Sequence, residues 1–132
     1  MRYLLDTNIC IYLIREQSPA VARRFSALRV GDVGMSVITL AELRYGVEAH
    51  TADRKRNERA LNALLNEIPA VPFDVHAAAA YGVIRAAVRD RKRDALDRLI
   101  AAHAISADLT LVTNNTSDFE GYPGLRVENW VE

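Results

Sequence analysis

Short apolar runs alternate with longer amphipathic segments along this chain, and this alternation constrains the fold more than any other feature. The runs have the length and β-branched content of strands, whereas the segments between them have helical spacing of apolar residues. Because strands joined by helical crossovers run parallel, the pattern predicts an α/β fold. We expect a central, mostly parallel sheet of four to five strands flanked by helices. The predicted strands are 3–5, 33–37, 71–73, 109–113 and 125–127, and the predicted helices are 8–15, 20–28, 39–50, 53–68, 75–91 and 95–107.

Composition excludes several classes of protein. The chain has 132 residues, which predicts a single domain over 1–132. Its 17 basic and 17 acidic residues cancel, so overall charge gives no argument for a nucleic-acid partner. Cys10 is the only cysteine, which excludes an intrachain disulfide and a cysteine-based zinc site. No secretory or membrane-spanning segment is evident, so we expect a soluble cytoplasmic protein without membrane contact.

Four acidic residues follow predicted strands or open predicted helices. Asp6 directly follows the first strand, Glu42 and Asp97 lie in the first turns of helices, and Asp118 lies in the loop after strand 109–113. The carboxyl ends of parallel strands meet at one edge of a sheet, where ligands collect. Each acid also has a purely structural interpretation. Asp6 could cap a helix, and Glu42 could form a capping box with Thr39. Asp97 would interact favourably with a helix dipole, and Asp118 is typical of an ordinary polar loop.

Four carboxylates gathered at one edge would repel one another unless a cation neutralised them. With oxygen ligands and no cysteine cluster, the natural cation is Mg²⁺, with Mn²⁺ as the alternative. Two other folds that place an Asp after the first strand are excluded by single positions. A response-regulator receiver needs a late Lys, and none follows Lys92. A haloacid-dehalogenase phosphatase needs a second Asp at position 8, which is Asn8.

The densest basic stretch lies next to Asp97. Such a stretch usually forms a solvent-exposed helix face, but next to the acids it would also suit binding to the phosphate backbone of RNA. The candidate RNA contacts in this stretch are Arg91, Lys92, Arg93 and Arg98.

Four segments in a fixed order resemble one known family. They are Leu4-Leu5-Asp6-Thr7-Asn8, Ser36-Val37-Ile38-Thr39-Leu40-Ala41-Glu42-Leu43-Arg44-Tyr45-Gly46, Leu96-Asp97-Arg98-Leu99-Ile100-Ala101-Ala102-His103-Ala104 and Leu111-Val112-Thr113-Asn114-Asn115-Thr116-Ser117-Asp118-Phe119. With the tail at 124–130, the chain resembles the PIN-domain ribonucleases, specifically the VapC-type toxins of bacterial toxin–antitoxin pairs. The resemblance covers nearly the whole chain, and it implies a PIN-like three-layer sandwich.

The resemblance also implies an acidic quartet that binds Mg²⁺ or Mn²⁺ and cleaves RNA. Asp6, Glu42 and Asp97 carry over by position, whereas many relatives have an Asp where this chain has Asn115. The nearest acid there is Asp118, so either residue is a candidate for the fourth place. On this basis Asp6 and Asp97 are the main metal ligands, and Glu42 orients or deprotonates the attacking water. Supporting partners of the acids are Thr7, Asn8, Thr113 and Asn115.

The family further implies an antitoxin partner whose tail covers the acidic groove, a toxin homodimer, and a structured RNA such as tRNA as substrate. Two alternatives stay open from the sequence. One is a housekeeping PIN nuclease without an antitoxin. The other is a PIN-like module that binds RNA or a partner without cleaving it.

Overall fold

The computed structural model describes residues 1–91 and 95–131, and its central feature is a parallel sheet. The strands of the described residues are β1 (Tyr3–Leu5), β2 (Val33–Ser36), β3 (Ala70–Val71), β4 (Thr110–Val112) and β5 (Val127–Glu128). Their order across the sheet is β3-β2-β1-β4-β5, and all four pairings are parallel. The predicted α/β class with a five-stranded, parallel sheet is therefore confirmed.

Helices connect the strands and cover the sheet. They are α1 (Thr7–Arg15), α2 (Pro19–Ser26), α3 (Val37–Ala49), α4 (Arg54–Glu67), α5 (Val75–Ala87) and α6 (Ala95–Ser106), with 3₁₀ turns at Thr51–Asp53 and Thr116–Phe119. The sequence placed the end of α5 at residue 91, but the helix ends at Ala87. Beyond it the chain turns so that Arg91 reaches the segment around residue 120. No helix among these residues is long and apolar enough to cross a membrane.

Two apolar clusters pack on opposite faces of the sheet. Successive side chains of a strand point to opposite faces, so Leu4 and Leu5 of β1 enter different clusters. Leu5 packs with side chains of α1, α2, α3 and α4, whereas Leu4 packs with side chains of α5 and α6. This arrangement gives the helix–sheet–helix layering that the resemblance implied.

The central position of β1 determines where Asp6 lies. The strand is hydrogen-bonded to β2 on one side and β4 on the other, and both of its last two residues are fully buried. The Asp6 N–H donates to the carbonyl of Val112 at 3.0 Å, which continues the pairing with β4 by one residue. Asp6 therefore leaves the middle of the sheet at its carboxyl edge, between the segments that follow β2 and β4.

Candidate active site

One polar pocket of about 110 Å³ unites residues from four separate parts of the chain. Asp6 follows β1, Glu42 lies on α3, Asp97 lies in the first turn of α6, and Asn115 follows β4. The remaining lining residues are Thr7, Asn8, Ile100 and Phe119. Three of the four predicted acids therefore line the same pocket, at the edge of the sheet where the sequence pattern placed them.

Asp6 is both a helix cap and a pocket residue. The residue is 6% exposed, and its Oδ1 accepts the N–H of Ile9 at 2.9 Å, which caps α1. Burial raises the pKa of Asp6 to about 6, and the negative charge of Glu42 adds to this rise. Hydrogen bonds from the Thr113 side chain and the Ile9 N–H offset part of the rise in pKa. Asp6 therefore caps α1, as its structural interpretation predicted, and it also lines the pocket that its functional interpretation requires.

Glu42 does not form the capping box that its spacing from Thr39 indicated. Helix α3 is capped three residues earlier than expected, because the Ser36 Oγ accepts the N–H of Ile38 at 3.1 Å. Thr39 is consequently buried inside the helix. Glu42 lies in the second turn, where its Oε1 accepts the Thr7 hydroxyl at 2.7 Å. Its carboxylate therefore belongs to the pocket and has no capping role.

The loop after β4 presents Asn115 to the pocket, whereas Asp118 is not among the lining residues. The N–H of Asn115 donates to the Thr113 Oγ1 at 3.0 Å, which fixes the start of the loop. Asp118 lies in the turn Thr116–Phe119, exposed to solvent, and its N–H donates to the carbonyl of Asn115 at 3.0 Å. Of the two candidates for the fourth place, the geometry favours Asn115.

The predicted supporting residues lie against the acids. Thr7 donates to Glu42, and Thr113 hydrogen-bonds to Asp6. Asn8 is exposed and lines the pocket, and its backbone N–H also interacts with Asp6. Ile100 and Phe119 also line the pocket, but the sequence carries no signal for them, since apolar lining residues resemble any other core residue.

Two of the four predicted RNA contacts, Arg91 and Arg98, make hydrogen bonds within the protein. Arg98 is 4% exposed, where it donates to the carbonyl of Arg91 at 3.3 Å and hydrogen-bonds to the Tyr81 hydroxyl. Arg91 donates to the carbonyl of Glu120 at 2.9 Å, and its guanidinium lies over the Tyr122 ring. These contacts link α6 and the loop after β4 to the segment that follows α5, and the role of the two arginines in RNA binding stays a prediction. Lys92 and Arg93 lie outside the described residues.

The donor set of the pocket fits a hard divalent cation. It combines carboxylates with the Asn115 amide and the Thr7 hydroxyl, and it includes no histidine or cysteine. Over 1–91 and 95–131, no three His, Cys, Asp or Glu side chains converge as a complete metal-binding group. Mg²⁺ is usually held by one or two carboxylates and keeps several waters, so a complete protein cage is not required. The pKa of Asp6 is raised mainly by burial and in smaller part by the charge of Glu42, and a bound cation would favour the ionised carboxylate.

Comparison with known proteins agrees with this geometry. The family model described as PIN domain matches residues 3–125. The chain belongs to the PIN-domain family. It is 39% identical over 132 residues to the tRNA(fMet)-specific endonuclease VapC of Shigella flexneri, with 98% of each chain covered. The predicted membership of the VapC-type PIN-domain ribonucleases is confirmed.

Solved structures of VapBC complexes have the same fold. The chain superposes with a TM-score of 0.90 on the DNA-bound VapBC of Salmonella typhimurium, at 36% identity with 98% of each chain covered. It superposes with a TM-score of 0.89 on VapBC2 of Rickettsia felis bound to a promoter DNA fragment, at 34% identity with 98% and 99% covered. The predicted enzyme class, an endoribonuclease, is confirmed, and PIN-domain nucleases depend on a divalent metal ion.

Proposed function

We propose that this PIN domain is the toxin of a toxin–antitoxin pair and that it hydrolyses RNA in the cytoplasm with Mg²⁺, or with Mn²⁺ in its place. The observation that carries the proposal is the single pocket that joins Asp6, Glu42, Asp97 and Asn115. One domain over residues 1–132 would carry the whole activity. The identity of 39% to a tRNA(fMet)-specific endonuclease favours tRNA as the substrate class.

Each pocket residue has a distinct role in this proposal. Asp6 and Asp97 would hold the cation, and the Asn115 amide would complete the set of oxygen ligands. Glu42 orients the attacking water or takes its proton, and the hydroxyl of Thr7 keeps that carboxylate in place. A bound divalent cation supplies activation of the water and stabilises charge on the phosphoryl oxygens. In-line attack then leaves 5′-phosphate and 3′-hydroxyl ends.

The partner is an antitoxin that covers the pocket. Support comes from the VapBC complexes, whose toxin chains match this chain over nearly its full length. The pocket carries several carboxylates, so a basic side chain of the antitoxin would complement its charge. We also propose that the toxin is a homodimer, in line with its family.

The function is tested by incubating the purified chain with a tRNA pool in Mg²⁺, in Mn²⁺ and in EDTA. We expect discrete cleavage products with either cation and intact RNA in EDTA. Glu42→Gln should lose activity, by roughly 100- to 10,000-fold if Glu42 is the general base. Glu48→Gln is the matched control, because Glu48 lies on the same helix, is exposed and is paired with Arg54. Cleavage that persists in EDTA would contradict the proposed mechanism.

A second prediction distinguishes the two candidates for the fourth place in the site. Asn115→Ala is expected to lower cleavage by roughly 10- to 100-fold, since it removes the polar side chain of a residue that lines the pocket. Asp118→Ala should retain activity, because Asp118 is exposed and lies outside the pocket lining. The measurement is the initial rate on tRNA at matched concentrations of folded protein. The opposite ranking of the two variants would assign the fourth place to Asp118.

A further inference from the structure

His103 is a buried polar residue of α6 that lies outside the pocket lining. The residue is 2% exposed, and its Nδ1 lies 2.8 Å from the Oγ of Ser36, which is fully buried. The two residues are 67 positions apart in the chain. This buried side-chain hydrogen bond therefore joins α6 to the start of α3, two elements that are far apart in the sequence.

The Ser36 end of this bond is the start of α3. The Ser36 Oγ already accepts the N–H of Ile38, and a hydroxyl has one proton and two lone pairs. It can therefore cap α3 and bond His103 at the same time. The helix begins at Val37, and Glu42 follows within about two helical turns. Any displacement of Ser36 is consequently passed along a short, rigid segment to Glu42.

The His103 end of the bond belongs to the helix that carries Asp97. Phe73 contacts the imidazole edge-to-face, with ring centroids 5.6 Å apart, and Asp74 at the cap of α5 is the acid that acts on it. Burial lowers the pKa of His103, while Asp74 opposes this shift. The ring is therefore neutral at neutral pH, and in either tautomer its Nδ1 can bond a hydroxyl.

We propose that His103 is a positioning residue for the proposed nuclease site, because its hydrogen bond to Ser36 ties the helix of Asp97 to the first turn of the helix of Glu42. The two helices each supply one acid to the pocket. Without the bond, α6 loses its polar attachment to Ser36, and the spacing between the two carboxylates is no longer held. His103 itself touches neither substrate nor cation in this proposal.

The inference rests on the proposed function, so its test uses Mn²⁺ affinity by calorimetry alongside the rate of tRNA cleavage. His103→Leu should weaken Mn²⁺ binding and slow cleavage by roughly 10- to 100-fold, whereas His103→Asn should stay within about threefold. Asn can present an amide nitrogen near the position of the imidazole Nδ1, so it preserves the bond to Ser36. Ser36→Ala should resemble His103→Leu, and the double variant should be no worse than either single one. His76→Leu, at an exposed histidine of α5, is the control.

If His103 were merely a core residue, His103→Leu and His103→Asn would lower the melting temperature and keep the Mn²⁺ affinity of the wild type. That result would overturn the positioning role. If the wild-type protein binds Mn²⁺ but leaves RNA intact, the proposed function fails, while the Mn²⁺ affinities of the variants still decide the role of His103.

Discussion

Asp6→Asn is expected to stop RNA cleavage and, at the same time, to make the metal-free protein more stable. Cleavage should fall by about a thousandfold or more, because several kcal/mol of interaction with the cation disappear with the carboxylate. The unfolding free energy at neutral pH should rise by about 1 to 2 kcal/mol. Few substitutions of a buried residue stabilise a protein, so the combination of the two effects is diagnostic.

The stabilisation follows from the surroundings of Asp6. Burial raises its pKa from 3.8 to about 6, so ionising the folded protein at neutral pH has a free-energy cost. Asn removes this charge and is as good a helix cap as Asp, so it can still accept the N–H of Ile9. Its amide group can also bond the hydroxyl of Thr113.

The measurements are the cleavage rates of wild type and Asp6→Asn and their unfolding by urea. The unfolding is measured in EDTA. Asp90→Asn is the matched control, because Asp90 is exposed and lies outside the pocket. It should change neither activity nor stability, within about 0.5 kcal/mol. Retained cleavage in Asp6→Asn would remove Asp6 from the catalytic set. A joint loss of activity and stability would mean that Asp6 acts through the fold.

The sheet and the place of Asp6 were accessible from the sequence because both depend on local patterns. Alternating strands and helices determine a parallel sheet, and the acid after the run Tyr3–Leu5 must leave the carboxyl edge of β1. The position of Asp97 was predicted in the same way, from its place in the first turn of α6. The convergence of these acids depends on the order of strands, which a single sequence pattern does not give.

The remaining site residues depend on tertiary contacts. The Thr39 and Glu42 spacing fits a capping box, but Ser36 starts the helix one turn earlier and frees Glu42 for the pocket. Asn115 and Asp118 are both candidates from the sequence, and the path of the loop determines that Asn115 is the one that lines the pocket. Arg98 is buried although arginine is usually exposed, and its guanidinium hydrogen-bonds to Tyr81 and to the carbonyl of Arg91.

A divalent cation is expected to reverse the pH dependence of the stability that Asp6 confers. In the metal-free protein, the folded-state pKa of Asp6, about 6, lies above the unfolded value of 3.8. The folded protein then binds the proton more tightly. The stabilising contribution of protonated Asp6 is therefore fully present below its unfolded pKa of 3.8, and it is lost as the pH rises through about 6. The lost contribution amounts to about 3 kcal/mol at most.

Bound Mg²⁺ requires the ionised carboxylate, so its stabilising effect grows over the same pH interval. At a free concentration of about 1,000 times Kd the gain is about 4.1 kcal/mol, which exceeds the loss of about 3 kcal/mol. The lowered pKa of His103 makes an opposite contribution, which is present above the unfolded pKa of 6.5 and lost as the pH falls. Subtracting the stability of Asp6→Asn at each pH removes this His103 contribution from the comparison.

The measurement is urea unfolding of wild type and Asp6→Asn over about pH 4 to 8, with EDTA or with Mg²⁺. Trp130 is the only tryptophan and is fully buried, so its fluorescence reports unfolding directly. In EDTA the stability of wild type relative to the variant should fall with rising pH. In Mg²⁺ it should rise instead. Equal pH profiles with and without Mg²⁺ would show that the Asp6 carboxylate does not hold the cation, and the metal site would then have to be built from Glu42, Asp97 and Asn115 alone.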